Sequence, residues 1–233
     1  SWKTPLGENV PAPDTAEERA ICSIFTLVSW VASLGSAFSV GLIVHLFPHL
    51  VVSMGIPAER HGFMLGIMRL ICIATYLIMH CRSFWHYRFS VHVVVQTIAL
   101  IGLYQVTRAK TELGLVLGLC AVGCLLGFNY FASIYYSTTG SRDREKGLFN
   151  GINEGVIALG FFLGSLVGGF WGLHAGPRTP YLLGMGVLTL SIMAQFVILR
   201  IRLHPSTPLV KNKRRLPWPE SVGPGAGNSP PCL

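Results

Sequence analysis

Residues 113–138 read LGLVLGLCAVGCLLGFNYFASIYYST, a run without Asp, Glu, Lys or Arg. A helix needs about 20 predominantly apolar residues to cross hydrocarbon roughly 30 Å thick at about 1.5 Å per residue, so this run is long enough to span. Five more stretches share its character, at 21–47, 62–79, 89–106, 148–173 and 181–199. With 51% hydrophobic and 12% charged residues, the chain carries about half the charged share of a soluble domain. A soluble fold has no interior large enough to hide six such stretches. The expected fold class is all-α: a polytopic membrane protein whose six transmembrane helices occupy 21–203, with a linker at 1–20 and a tail at 204–233.

Threading the chain back and forth puts both ends and the second-to-third and fourth-to-fifth connections on one face. Thirteen of the eighteen Lys and Arg fall there, among them Arg82, Arg88, Arg142, Arg144, Lys146, Arg200 and Arg202. The opposite face has Arg60, Arg108, Lys110 and Arg178, and Arg69 lies inside a span. Lys and Arg are retained on the cytoplasmic side during insertion, so both termini are expected in the cytoplasm of a cell bounded by a plasma or inner membrane. The +8 net charge belongs to this topology. The cations sit in short loops and a tail rather than on a basic face interleaved with aromatics, so membrane lipid is the expected partner and nucleic acid is not.

Cys22, Cys72, Cys120 and Cys124 lie within spans, Cys81 in a loop and Cys232 next to the end, a usage that predicts reduced thiols. Cys120 and Cys124, one turn apart, read as small residues on a packing face. Residues 1–20 are polar, acidic and Pro-containing, unlike a cleaved signal peptide, and Asp14 or Thr15 is placed to cap the first helix. Ser1 is not an initiator Met, which implies a longer gene product or processing. Pro48 is expected to end or kink the first helix. The tail, basic over 211–215 and then rich in Pro and Gly, is expected to be disordered.

Gly151, Gly155, Gly160, Gly164 and Gly168 recur at helical spacing in the fifth segment. In lipid such a stripe lets a neighbouring backbone approach closely. A phosphate loop is the poorer reading, because no strand precedes the glycines and no Lys-Ser/Thr follows them. In the first segment Cys22, Thr26, Ser29, Ser33 and Ser36 share one face, either lining a water-filled path or forming a seam whose hydroxyls bond the carbonyl one turn back. In the fourth, Asn129, Tyr130, Ser133 and Tyr136 either converge on a ligand or anchor a helix end at the interface.

Arg69 and Glu154 are the ionisable residues of sharpest interest. Insertion scales put a charge at the helix centre at about 2.5–3.5 kcal/mol, so each must face protein or water. Glu154 also suits the positive N-terminal end of its helix. His45 and His49 straddle Pro48, while His80, His86 and His92 crowd a turn without completing a metal set, and interfacial histidines are expected. With no nucleophile–base pair and no paired carboxylates, enzymatic chemistry and a cofactor are not expected.

Residues 141–171, SRDREKGLFNGINEGVIALGFFLGSLVGGFW, resemble the cytoplasmic loop and penultimate helix of the major facilitator superfamily. There a basic loop precedes a Gly-rich helix carrying an acidic or polar residue in its inner third, the pattern of Arg142, Arg144, Lys146, Gly147, Gly151, Glu154, Gly164, Gly168 and Gly169. The loop 81–88, CRSFWHYR, keeps only the basic character of the family's other signature. The resemblance implies half of that fold, six helices as two inverted three-helix repeats, working by alternating access with a matching six-helix half around a small-molecule substrate. It implies substrate contact by Ser29, Ser33, Ser36, Asn129 and Tyr130, with Arg69 neutralising an anionic group, and gating by Glu154, Arg142 and Arg144. The alternative is a non-transporting integral subunit, a scaffold or assembly component of a larger membrane complex that retains a transporter-like bundle.

Overall fold

The computed structural model describes residues 16–139, 141 and 144–202, and these form six helices without a strand. They are α1 (Ala16–Ser53), α2 (Ala58–Cys81), α3 (Phe89–Arg108), α4 (Glu112–Thr139), α5 (Lys146–Ala175) and α6 (Thr179–Arg202). All six are long and apolar enough to cross a membrane, which makes the chain an integral multi-pass membrane protein. The six predicted spans each lie inside one helix. Helix α1 already runs at Ala16, inside the stretch read as linker, whereas the caps expected of Asp14 or Thr15 and the whole tail at 204–233 fall outside the described residues.

Pro48 does not end α1. The helix continues to Ser53 because Phe47, Leu50 and Val51 are all fully buried on either side of the proline. Burial on both flanks outweighs the one backbone hydrogen bond that proline removes. Helix α5 stops at Gly176, whose φ of 90° suits glycine and whose N–H donates to Gly172 O at 3.2 Å.

Two helices form the centre. Within their apolar windows 72% of α1 and 61% of α4 is buried, against 22–33% for the other four. Helix α1 packs on α4, α5 and α6; α4 packs on α1, α2 and α3; and α3 closes against α6. Glycines set these approaches. A Cβ at Gly164 would overlap the backbone of Phe38, and one at Gly160 would lie 2.8 Å from Leu34 O and Ala37 Cβ, so α1 and α5 touch almost backbone to backbone. Gly123 and Gly127 do the same for α4 against α2, meeting Met68 O at 2.5 Å and Cys72 O at 2.8 Å. The packing face of α4 is therefore its glycine row, and Cys120 and Cys124 sit only half-buried beside it.

Hydrogen bonds inside the bundle are interhelical as well as local. Gln96 of α3 and Gln195 of α6, both fully buried, exchange amide bonds of 3.0 and 2.8 Å. Gln195 also donates to Ser191 Oγ at 3.2 Å, and Ser191 donates to Val31 O of α1 at 2.9 Å. Replacing Gln195 with Leu leaves the Gln96 amide unpaired in an apolar interior and is expected to cost about 1–3 kcal/mol of stability. The double variant Gln96→Leu/Gln195→Leu should recover part of that loss in denaturant unfolding. A double variant no better than the single would show that the pair does not couple α3 to α6.

The connection between α2 and α3 folds inward. Trp85 is 1% exposed, its indole N–H donates to Met79 O at 3.0 Å, and its ring meets Phe128, Phe131, Tyr135 and Tyr136 edge-on. His86 stacks on Tyr135 at 4.6 Å, and burial holds its imidazole below the usual histidine range. Tyr87 occupies the left-handed region at φ 51°, held by its N–H to Tyr136 Oη at 2.9 Å and by its hydroxyl against Cys22 Sγ at 3.1 Å. Burial, then the Cys22 contact, pushes its phenol well above the usual tyrosine range. His92, expected at the interface, is fully buried edge-on to Phe128 at 4.8 Å, because the Trp85 turn lies over this end of the bundle.

Candidate functional site

The serine face of α1 and the polar end of α4 meet each other. Ser33 Oγ donates to Asn129 O and Asn129 Nδ2 donates to Ala32 O, both at 3.3 Å. Ser29 Oγ bonds Thr26 O at 2.8 Å and Ser36 Oγ bonds Ser33 O at 3.0 Å, each within its own helix. Ser29, Ser33, Ser36 and Asn129 are at most 2% exposed. Of the two sequence readings, these contacts are those of the seam: short hydroxyls bonded back to their own helix let α1 and α4 close on each other. Of the residues assigned to substrate contact, that leaves Tyr130 and Arg69 on open surface.

An open face is built by α2, α4 and α5. On α2 the residues Gly62, Gly66, Arg69, Ile73 and Tyr76 follow a four-three-four-three spacing and so share one side of the helix. All but half-buried Tyr76 are exposed. On α5 the corresponding side carries Gly147, Gly151, Glu154 and Gly155, all exposed. Between them α4 presents Tyr130, Phe131 and Ile134, half-buried. The Tyr130 hydroxyl donates to Glu154 Oε1 at 3.0 Å, so two residues that the sequence assigned to different tasks form one pair. Tyr76 lies 6.0 Å from the Tyr130 ring and 6.2 Å from the Phe131 ring. The row Arg69, Tyr76, Tyr130, Glu154 thus crosses the face from α2 to α5.

Depth makes this row unusual. Arg69 lies eleven residues into α2 and Glu154 eight residues into α5, or about 16 Å and 12 Å from those helix ends at about 1.5 Å per residue. Neither forms an ion pair among the described residues; the pair found there joins Arg60 to Glu112 at 2.6 Å near one membrane surface. Arg69 and Glu154 therefore expose charge-bearing groups well inside candidate spans with no compensating ion pair among the described residues. Beneath the face, Asn129 Oδ1 and both amide atoms of Asn153 are buried without a hydrogen-bond partner among the described residues.

The glycine row of α5 divides in two. Gly160, Gly164 and Gly168 are buried against α1, whereas a Cβ at Gly147, Gly151 or Gly155 would meet nothing within 4 Å. Gly62 and Gly66 of α2 are equally uncovered. Arg144 is exposed at the turn before α5, and Arg142 falls outside the described residues. Tyr76 and Phe131 were not singled out from sequence. The signal for Tyr76 was present: it stands two turns from Arg69 on a stripe that begins with two glycines.

A shallow cavity of about 370 Å³ opens on this face, lined by Tyr76, Tyr130, Phe131, Ile134, Tyr135 and Thr138. Its wall is almost wholly aromatic or aliphatic, and the Tyr130 hydroxyl leads from it to the Glu154 carboxylate. No family model, curated protein or solved structure matches the chain.

Proposed function

We propose that this bundle is half of a secondary transporter of the major facilitator type, rocking against a matching six-helix bundle that covers the α2–α4–α5 face. One observation carries the reading: the row of Arg69, Tyr76, Tyr130 and Glu154, whose two ionisable ends are exposed well inside candidate spans. Facing lipid, each charge costs at least about 2.5–3.5 kcal/mol, and facing a water-filled cleft between two bundles it costs little. The bare backbones at Gly62, Gly66, Gly151 and Gly155 support the same reading, since they suit helices that approach and slide.

The packing scheme supports an inverted repeat. Exchanging helices one to three with four to six turns the α1–α5 contact into α4–α2 and α1–α6 into α4–α3, while α1–α4 and α3–α6 map onto themselves. Because each helix and its counterpart three places on run in opposite directions, the axis of that exchange lies in the membrane plane. Gln96 and Gln195 bond across it. In this scheme Tyr130 and Arg69 contact substrate, and Glu154 couples that contact to gating. A cytoplasmic location of both chain ends follows from the distribution of Lys and Arg.

The alternative, a non-transporting integral subunit, draws on the closed α1–α4 seam, which leaves the first helix without an open serine lining. Thiol labelling separates the two. In a background with the native cysteines replaced by alanine, Gly155→Cys and Arg69→Cys are expected to react with a membrane-impermeant maleimide. Leu166→Cys, exposed elsewhere on α5, is not. Protection of both face positions in intact membranes would mean the face is covered by lipid or a permanent subunit, and would end the carrier reading.

A further inference from the structure

We propose that the aromatic cavity between α2 and α4 binds an organic ammonium cation, held over the rings of Tyr76, Tyr130 and Phe131 and paired with the carboxylate of Glu154. The inference rests on the carrier reading only for access of water to this face.

The chemistry follows from the wall. Aromatic rings line the cavity, with Tyr76 tilted against Tyr130 at 6.0 Å and against Phe131 at 6.2 Å, and ring faces attract cations through their quadrupole. Ring faces do not attract anions, and the cavity offers few polar groups to a neutral polyol or sugar. The charge tied to this wall is Glu154, 3.0 Å from the Tyr130 hydroxyl, and it is exposed with no cation paired to it among the described residues. A quaternary or tertiary ammonium matches both features, because its charge is spread over apolar carbon that desolvates cheaply onto aromatic rings. The volume of about 370 Å³ lies at the small end for ligand pockets and fits a compact cation rather than a lipid.

Arg69 sets the polarity. It stands two turns from Tyr76 on the same side of α2, about 10 Å along the helix. A guanidinium there repels the ammonium from the Arg69 end and directs it toward Glu154. A bound cation would then compete with the Tyr130 hydroxyl for the carboxylate, giving Tyr130 a release on binding that Tyr130→Phe would mimic.

The test uses the intact protein in lipid nanodiscs, titrated by calorimetry with choline and with 3,3-dimethylbutan-1-ol, which keeps its shape and lacks the charge. Choline is expected to bind at least about tenfold more tightly than the neutral analogue. Glu154→Gln should remove most of that discrimination, and Phe131→Leu should reduce it. Equal affinity for both probes would reduce the cavity to an apolar crevice, and tighter binding of benzenesulfonate than of choline would give the face to Arg69. Either result, or unchanged discrimination in Glu154→Gln, overturns the proposal. If choline is not selected while Gly155→Cys labels from water, the ligand class fails and the carrier reading stands. If Gly155→Cys and Arg69→Cys are both protected, the carrier reading fails by its own test.

Discussion

Gly164→Leu is expected to leave little folded bundle after extraction into mild detergent, while Gly155→Leu, nine residues earlier on the same helix, behaves like the parent. The two glycines look alike in sequence but differ in what faces them. At Gly164 even a Cβ would overlap the backbone of Phe38, and backbone in the middle of α1 cannot swing aside as a side chain can. Helix α1 is also held by α4 and α6, so retreating from α5 would break those contacts as well. Overpacking by a few methylenes typically costs about 1–3 kcal/mol, and here a whole isobutyl group must enter a backbone contact. The sum is comparable with total stabilities of about 5–15 kcal/mol. Size-exclusion homogeneity and unfolding in SDS provide the readout. A Gly164→Leu protein as resistant to SDS as Gly155→Leu would disprove the close α1–α5 approach. A Gly155→Leu protein that folds yet no longer transports would fit a face that must meet a partner bundle.

On the proposal that the bundle is half of a carrier, Arg69→Ala is expected to lower transport by about thirtyfold or more, without lowering expression, insertion or the unfolding midpoint. A desolvated charge that pairs with a ligand or a carboxylate from a facing bundle contributes about 2–5 kcal/mol when truncated, hence the size of the loss. The bundle itself loses nothing, because the guanidinium is exposed and forms no hydrogen bond or ion pair among the described residues. Transport assayed in cells, beside the fraction of protein recovered in the membrane, distinguishes the outcomes. Undiminished transport would take Arg69 out of the site, and a protein that fails to insert would show the residue to be structural.

Much of the fold was legible because hydrocarbon is a demanding solvent. All six helices announce themselves by length and apolarity, and the largest departures lie at their ends, as with the run of α1 through Pro48. The candidate site was half legible. Arg69 and Glu154 stand out in any apolar run, and Tyr130 was noted, but its bond to Glu154 joins residues on two helices and leaves no trace in spacing. His92 and Trp85 were hidden for a related reason. Both lie in or beside a loop that reads as interfacial, and only the folding of that loop into the bundle buries them.

The amino-acid sequence by itself determined that six helices form and that they belong in a membrane. Those properties depend on composition and backbone hydrogen bonding within each segment, which lipid enforces locally. Only the tertiary structure decided which side of each helix does what. It split one glycine row into a buried half against α1 and an open half beside Glu154, and it turned Ser33 of α1 toward Asn129 of α4. Helical periodicity groups residues onto a side but does not say what that side meets. Between two helices of similar composition, that choice is made by which backbones come close enough to touch.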